Sequence, residues 1–136
     1  MKLVVDANIL FSIANPISFT SQLIHKIKVE LYSPEYALYE LKKYEKEVVE
    51  KSNLKSFKAI AERLRDKIRF IPVAEIKKEL VEMQNIISDE KDIIYLALAK
   101  KMNISIWSND PHLKEQTLIQ VLTTKEIVEI ITTNNT

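Results

Sequence analysis

Short apolar runs alternate with longer segments of helical periodicity along this chain, a pattern that is typical of α/β proteins. The apolar runs predict strands at residues 2–5, 29–32, 68–73, 104–108 and 118–122. Helices are predicted from about Thr20, from Pro34 to about Lys51, over residues 57–68, from about Glu75, from Asp92 to Lys101, and after Thr123 or Thr124. Because strands and helices alternate, we expect a parallel sheet whose strands are joined by crossover helices.

Local chemistry adds two details to this pattern. Ser33 followed by Pro34 is a favourable helix start, with the serine as the capping residue and the proline in the first turn. The C-terminal residues 132–136 are polar and are expected to fray.

Acidic residues follow two of the predicted strands. The run Leu3-Val4-Val5 ends at Asp6, and the strand at residues 104–108 leads into Asp110. The carboxyl ends of parallel strands share one edge of the sheet, which is where open α/β sheets bind their ligands. We therefore expect Asp6 and Asp110 to lie at the same edge, which the helix start at Asp92 also faces.

An acid directly after a buried strand is costly unless it is paired, solvated or bound to a metal ion. Our hypothesis is that five acids converge on divalent metal ions, namely Asp6, Glu40, Asp89, Asp92 and Asp110. The chain has no Cys and two His, so its metal ligands would be mostly oxygen atoms, which favours Mg²⁺ or Mn²⁺. Taken singly, Glu40 is also explained as a solvated helix residue, and the other helix-start and turn acids as caps.

The composition excludes several classes of function. Gly is absent from the 136 residues, which removes the glycine-rich phosphate loops of nucleotide-binding folds. The net charge is +1, so contact with nucleic acid would need local Lys or Arg near the carboxyl edge. The length predicts one domain over residues 1–136. The apolar run before Asp6 is too short for a signal peptide and no run is long enough to cross a membrane, so we expect a cytoplasmic protein.

Two segments resemble a known family. Leu-Val-Val-Asp-Ala-Asn-Ile-Leu, residues 3–10, is similar to the opening motif of the PIN domain. Residues 89–110 resemble that family's signature for its third and fourth acids, in which an Asp opens an Ala/Leu-rich helix and the next strand ends in Ser/Thr-x-Asp. In order and spacing, nearly the whole chain is similar to a single PIN domain of the VapC-toxin kind.

The resemblance implies a three-layer α/β/α sandwich with a central parallel sheet and a metal-dependent endoribonuclease activity. The positions that match the family's catalytic acids are Asp6, Glu40, Asp92 and Asp110, with Asp89 as an additional metal-binding acid and Asn8 and Ser108 as polar residues that orient the acids. Mg²⁺ or Mn²⁺ held there would activate water and neutralise the leaving oxygen of a phosphodiester. The resemblance also implies RNA as substrate, an antitoxin protein as partner, and homodimerisation, which is common in the family.

Two other functions are open at this stage. A phosphatase with Asp6 as its nucleophile would also place the acid after a strand, but Asn8 stands where its second acid belongs and no Gly-rich acidic motif follows. A PIN-like scaffold would bind RNA or a protein without cleaving it, although every acidic position is filled. Trapping a phosphoenzyme on Asp6 would identify the phosphatase, and cleavage with Mn²⁺ against EDTA separates nuclease from scaffold.

The aromatic and histidine side chains are expected to have structural roles. Tyr36, Tyr39 and Tyr44 follow helical spacing and are expected to pack rather than to stack on bases. Trp107 is expected in the core, and His112 on a partly exposed helix.

Overall fold

The computed structural model describes the backbone of residues 1–134 and the side chains of residues 1–133. Within this part of the chain, strands and helices alternate as predicted. The strands are β1 (Lys2–Val5), β2 (Glu30–Pro34), β3 (Ile68–Ile71), β4 (Ser105–Trp107) and β5 (Val121–Leu122). The α-helices are α1 (Ala7–Ala14), α2 (Phe19–Lys26), α3 (Tyr36–Lys43), α4 (Glu45–Ser52), α5 (Phe57–Lys67), α6 (Lys77–Glu82), α7 (Glu90–Met102) and α8 (Thr124–Asn134).

The strands form one parallel sheet in the order β3-β2-β1-β4-β5. The chain builds outward from β1 to β3 and then returns to add β4 and β5 on the other side. Helices flank the sheet, so the predicted α/β class and three-layer α/β/α sandwich are confirmed. The direction of building reverses between β1 and β4, where Val5 pairs with Trp107. The crevice beyond these two carboxyl ends is therefore the expected ligand site of the sheet.

The helix α7 lies at the centre of the fold, as its apolar composition predicts. Leu96, Ala97, Leu98 and Ala99 are all fully buried, and α7 packs against β1, β2 and β4. A helix that is apolar over most of its circumference must be covered on several sides. This burial fixes the N-terminus of α7, with its acids, relative to the sheet.

The sequence analysis missed α1, which follows β1 after a single residue. Its buried face consists of Ile9, Leu10, Ile13 and Ala14. Only Asp6 and Asn8 interrupt the apolar residues that run from the strand into this helix, so hydropathy alone does not resolve two separate elements. The boundary is Asp6, whose side chain caps the helix.

The predicted helix start at Ser33-Pro34 is wrong. Both residues lie in β2, and the Ser33 hydroxyl donates a 2.8 Å hydrogen bond to the carbonyl oxygen of Val5 in the neighbouring strand. The helix α3 begins at Tyr36 instead, after Glu35, whose side chain makes no capping hydrogen bond. Ser33 therefore makes a buried hydrogen bond to β1 instead of capping a helix, which is the role that serine at this position predicts.

Helix boundaries elsewhere differ from the prediction. The helix expected up to Lys51 is divided into α3 and α4 at Tyr44, whose backbone leaves the helical region at φ −111° and ψ 29°. Thr123 caps α8 through reciprocal bonds with Glu126, in which each backbone N–H is bonded to the other side chain. The helix α8 continues to Asn134, so residues 132–134 of the tail that is expected to fray are helical, and residues 135–136 lie outside the described chain. No helix in the described residues has the length and apolarity that a membrane span needs.

Candidate active site

Asp6 is held by hydrogen bonds at the carboxyl end of β1. Its side chain is 5% exposed, and Oδ1 accepts the backbone N–H of Ile9 at 2.9 Å, which caps α1. The other oxygen, Oδ2, accepts the hydroxyl of Ser108, a fully buried residue just beyond β4. The Ser108 oxygen in turn accepts the backbone N–H of Asp110 at 3.0 Å. One chain of hydrogen bonds thus joins the acids that follow β1 and β4.

Burial raises the pKa of Asp6 above its ordinary value, and the nearby Asp110 carboxylate raises it further. The hydrogen bonds from Ser108 and Ile9 oppose this shift but do not cancel it. A negative charge at Asp6 is therefore costly in the isolated protein, and a bound cation would relieve that cost.

Asp110 begins a short 3-10 helix at Pro111–Glu115 and is partly exposed. Its Oδ1 accepts the backbone N–H of His112 at 2.9 Å and lies 3.0 Å from the Nδ1 atom of the same residue. This hydrogen bond and the charge of Asp110 raise the pKa of His112. The expected exposure of His112 is confirmed, but the sequence analysis did not foresee its contact with a candidate acid.

Glu40 lies on α3 and is tied to α7 by Tyr95. The Tyr95 hydroxyl donates a 3.0 Å hydrogen bond to Glu40 Oε1, and the tyrosine is almost fully buried. Burial raises the pKa of Tyr95, and the Glu40 charge adds to the shift, so the phenol stays protonated and remains a donor. The sequence analysis missed this residue. Its position three residues after Asp92, on the same helix face, was the available signal.

Asp92 stands at the meeting point of the acids, in the first turn of α7. Burial raises its pKa to about 6, together with four negative charges nearby. In order of decreasing effect, these charges are those of Asp89, Asp110, Asp6 and Glu40. The structure thus brings all five predicted acids into one electrostatic cluster.

Asp89 is the N-cap of α7, where Oδ1 accepts the backbone N–H of Lys91 at 3.0 Å. Its side chain is exposed, and it lines an open cleft together with Lys91 and His112. Capping therefore accounts for its position, and a role as metal ligand stays a prediction. Lys91 supplies the basic group that we expected near this edge.

Asn8 contacts Asp6 through its backbone N–H. Its side chain is exposed and lines a cleft of about 350 Å³ together with Glu40 and Tyr44. The predicted role of the Asn8 side chain in orienting an acid has no contact to support it in the described chain, whereas Ser108 contacts Asp6 directly.

The donor set suits a hard divalent cation in chemistry and in charge. All five acids offer oxygen ligands, and their mutual repulsion would be relieved by Mg²⁺ or Mn²⁺. Among the described residues, no three acidic or histidine side chains stand ready to hold a metal ion as they are placed.

Two solved structures share this fold at low sequence identity. The toxin VapC20 of Mycobacterium tuberculosis, which cleaves the sarcin-ricin loop, is 14% identical and covers 87% of this chain and 98% of its own, with a TM-score of 0.58. The second structure is VapBC2 of Rickettsia felis, bound to a DNA fragment from its promoter. The matched chain is 17% identical, the alignment covers 90% of this chain and 98% of that chain, and the TM-score is 0.55. These identities establish a likeness of fold alone.

No curated protein matches the sequence at a significant level. The family model of the PIN domain, in contrast, matches residues 4–132, from β1 into α8. That match includes all five clustered acids and the residues that hold them. The chain therefore belongs to the PIN domain family.

Proposed function

We propose that this protein is a metal-dependent endoribonuclease that hydrolyses phosphodiester bonds in RNA. The observation that carries the proposal is the electrostatic coupling of Asp92 to four other carboxylates at the β1–β4 switch point. Such clustering costs free energy in the isolated protein, and functional sites commonly carry costs of this kind. Membership of the PIN family supports the same conclusion.

In this proposal, Asp6, Glu40, Asp92 and Asp110 are the catalytic acids and hold Mg²⁺ or Mn²⁺, with Asp89 as a further ligand. The bound ion would activate the attacking water, neutralise the leaving oxygen and orient the phosphate. Mg²⁺ retains several waters, so a few carboxylate contacts are enough to bind it.

Several neighbours position the acids. Ser108 fixes one oxygen of Asp6, and Tyr95 fixes one oxygen of Glu40. Lys91 provides positive charge at the edge, where an RNA phosphate would approach, and His112 lines the same cleft. Lys91 is exposed and forms no ion pair with a described residue, so it is available for such a contact.

The toxin of a toxin–antitoxin pair is the cellular role that we propose. Both solved structures of similar fold are named as VapC or VapBC proteins, and one is called a toxin. An antitoxin that covers the acidic edge would then be the partner, with RNA as substrate and the cytoplasm as location. Homodimerisation stays a prediction from the family.

Membership of the PIN domain family argues against the phosphatase alternative. Asn8 also stands where the second acid of such a phosphatase belongs. The scaffold alternative keeps the fold but gives the costly clustering of the acids no purpose.

Incubation of structured and single-stranded RNA with the purified protein in Mn²⁺ or in EDTA tests the proposal. We expect internal cleavage in Mn²⁺, none in EDTA, and none with the Asp6→Asn variant in either buffer. RNA binding in EDTA should weaken as salt increases, because phosphate contacts release counterions. Binding that does not depend on salt would contradict an RNA substrate, and cleavage that persists in EDTA would contradict metal dependence.

A further inference from the structure

The outward arc of α3 carries two tyrosines near Glu40, of which Tyr39 is exposed and Tyr36 is half-buried. The ring centroids of Tyr36 and Tyr39 lie 6.0 Å apart with an interplanar angle of 33°. Tyr39 and Tyr44 are each 60% exposed, so the expectation that these two tyrosines are buried by packing is wrong. Packing in the hydrophobic core does not explain an aromatic ring that is exposed at this position.

A lysine completes this surface. The Lys43 ammonium lies 4.9 Å from the centroid of the Tyr39 ring. Among the described residues, Lys43 forms no ion pair, whereas its neighbour Lys42 is paired with Glu45 at 3.2 Å. Lys43 therefore keeps a positive charge next to an aromatic face, and this charge is available to a phosphate.

Helical geometry places these groups next to the acidic cluster. Tyr36 and Glu40 are four residues apart and Glu40 and Lys43 three apart, so both pairs are neighbours on the helix surface. The buried residues of α3 lie on the opposite arc. We call Tyr36, Tyr39 and Lys43 the α3 strip. It runs along the exposed arc, with Glu40 at its margin.

An acidic cluster repels an RNA backbone, so affinity for RNA has to come from groups that flank the acids. Exposed aromatic rings interleaved with unpaired lysines are the usual platform for single strands, because bases stack on the rings while phosphates contact the charges. A paired duplex hides its bases and gives such rings little to stack on.

We infer that the α3 strip binds single-stranded RNA, with unpaired bases stacked on Tyr39 and Tyr36 and a phosphate on Lys43. The inference rests on the proposed ribonuclease function and deepens it, because it names the residues that would hold unpaired bases beside the acidic cluster. The three residues act in binding and do not touch the reacting atoms.

The test measures binding of the full chain in EDTA, where the metal-dependent reaction is prevented. The probe is a fluorescent oligouridylate of about 12 nucleotides, alone or paired with oligoadenylate. We expect Tyr39→Ala to weaken single-strand binding about ten-fold, the effect of losing one stacked base, and Tyr39→Phe to stay within about two-fold of wild type. Lys43→Met should lower the salt dependence by about one phosphate contact.

Phe19→Ala is the matched control. Phe19 is 62% exposed and opens α2, beyond the far end of α1 from Asp6, so its loss should leave RNA binding unchanged. Equal affinity of wild type and Tyr39→Ala would overturn the inference and leave the strip as a protein-docking surface. Equal binding of the duplex, or a Tyr39→Phe variant as weak as Tyr39→Ala, would overturn it as well.

A parallel cleavage assay with Mn²⁺ separates the two proposals. If wild type binds the single strand through Tyr39 but cleaves no RNA, the proposed nuclease function fails and the α3 strip stands. If wild type cleaves RNA while Tyr39→Ala binds and cleaves as well as wild type does, the nuclease stands and the strip fails.

Discussion

The acidic edge has two halves that hold their carboxylates differently. At the strand half, Asp6 is 5% exposed, and hydrogen bonds to both its oxygens connect it through Ser108 to Asp110. At the helix half, Asp92 is only half-buried and its pKa is raised to about 6 by burial and by its acidic neighbours. Asp6 in the strand half is therefore fixed by hydrogen bonds, whereas a charge on Asp92 in the helix half is disfavoured first by burial and then by repulsion from the other acids, and a bound cation would relieve that cost.

This difference follows from where each half comes from in the sequence. Backbone pairing sets the direction in which a residue leaves a buried parallel strand, and β1 is paired on both sides, with β2 and with β4. A residue in the first turn of a helix has fewer fixed neighbours. Substitutions in the two halves should therefore give different combinations of lost activity and lost stability.

Asp6→Asn should have the largest effect on activity. It keeps the shape and the capping oxygen but removes a ligand charge, so we expect cleavage to fall by more than about 100-fold. The rise in melting temperature caused by Mn²⁺ should shrink, because fewer ligands bind the ion in the native state. In EDTA the stability should be unchanged or slightly raised, because burial disfavours the Asp6 charge.

The matched variant is Asp6→Ala, which also removes the acceptor for Ile9 and Ser108 and should cost about 1–2 kcal/mol of stability. Scanning fluorimetry with and without Mn²⁺ measures these differences. If Asp6 were an ordinary capping residue, Asp6→Asn would lose a little stability and keep the wild-type metal response. An identical metal response of wild type and Asp6→Asn would therefore refute the acidic cluster as a metal site.

Ser108→Ala should have the next largest effect, and Ser33→Ala is its control. Both serines are fully buried at the two strands that flank β1, Ser33 near the end of β2 and Ser108 just beyond β4. Ser108 donates to a carboxylate, whereas Ser33 donates to the carbonyl oxygen of Val5. Each change leaves buried groups unpaired and should cost about 1–3 kcal/mol in urea unfolding. Only Ser108→Ala should also lower metal affinity or activity, by about 10- to 100-fold. Equal activity of the two variants would show that Ser108 does not position Asp6.

The sequence predicted the sheet and the grouping of the acids because both depend on patterns that are local. An apolar run that ends at an acid, as at Asp6, specifies a strand and its edge without knowledge of the rest of the chain. The link between Glu40 and Tyr95 spans 55 residues and depends on how α3 packs against α7. The exposure of Tyr39 likewise depends on which arc of α3 is covered, and helical spacing alone does not decide that.

The sequence also predicted the wrong element boundary where a local preference competed with a contact elsewhere in the fold. Ser33-Pro34 satisfies a capping rule, yet the pair continues β2 because the Ser33 hydroxyl finds a buried acceptor in β1. Tyr44 interrupts a helix that its amphipathic pattern would have continued. These errors changed the predicted helix boundaries more than the predicted site. The candidate acids lie at strand ends and helix starts, and these keep their positions when a helix is divided.

The pH dependence of stability sharpens the contrast at the helix half. The pKa of Asp92 is raised from 3.8 to about 6 in the folded protein, so its carboxyl binds a proton more tightly there than in the unfolded chain. The stabilisation that this proton binding gives is fully present below the pKa of Asp92 in the unfolded chain, and it is lost as pH rises through the pKa of Asp92 in the folded protein. In EDTA, wild type should therefore lose stability relative to Asp92→Asn between about pH 4 and pH 7.

Urea unfolding of wild type and Asp92→Asn across this pH range measures the difference, and the comparison removes titrations that the two proteins share. A difference in stability that stays constant with pH would show that the pKa of Asp92 is not raised by burial and by the other acids. Addition of Mn²⁺ at neutral pH should restore the lost stability in wild type more than in the variant.

Asp89 should show the smallest effect, and it separates capping from metal binding. Asp89→Asn keeps an oxygen for the backbone N–H of Lys91 and is an equally good N-cap, so it should leave stability in EDTA unchanged. Asp89→Ala loses the cap and should cost about 1 kcal/mol in the same measurement.

Because Asp89 is exposed and raises the pKa of Asp92, Asp89→Asn should weaken Mn²⁺ binding by less than about ten-fold and lower the pKa of Asp92. Titration of Mn²⁺ into both variants, followed by calorimetry, decides the role. Equal Mn²⁺ affinity for wild type and Asp89→Asn would leave Asp89 as a helix cap alone and reduce the candidate ligands to four.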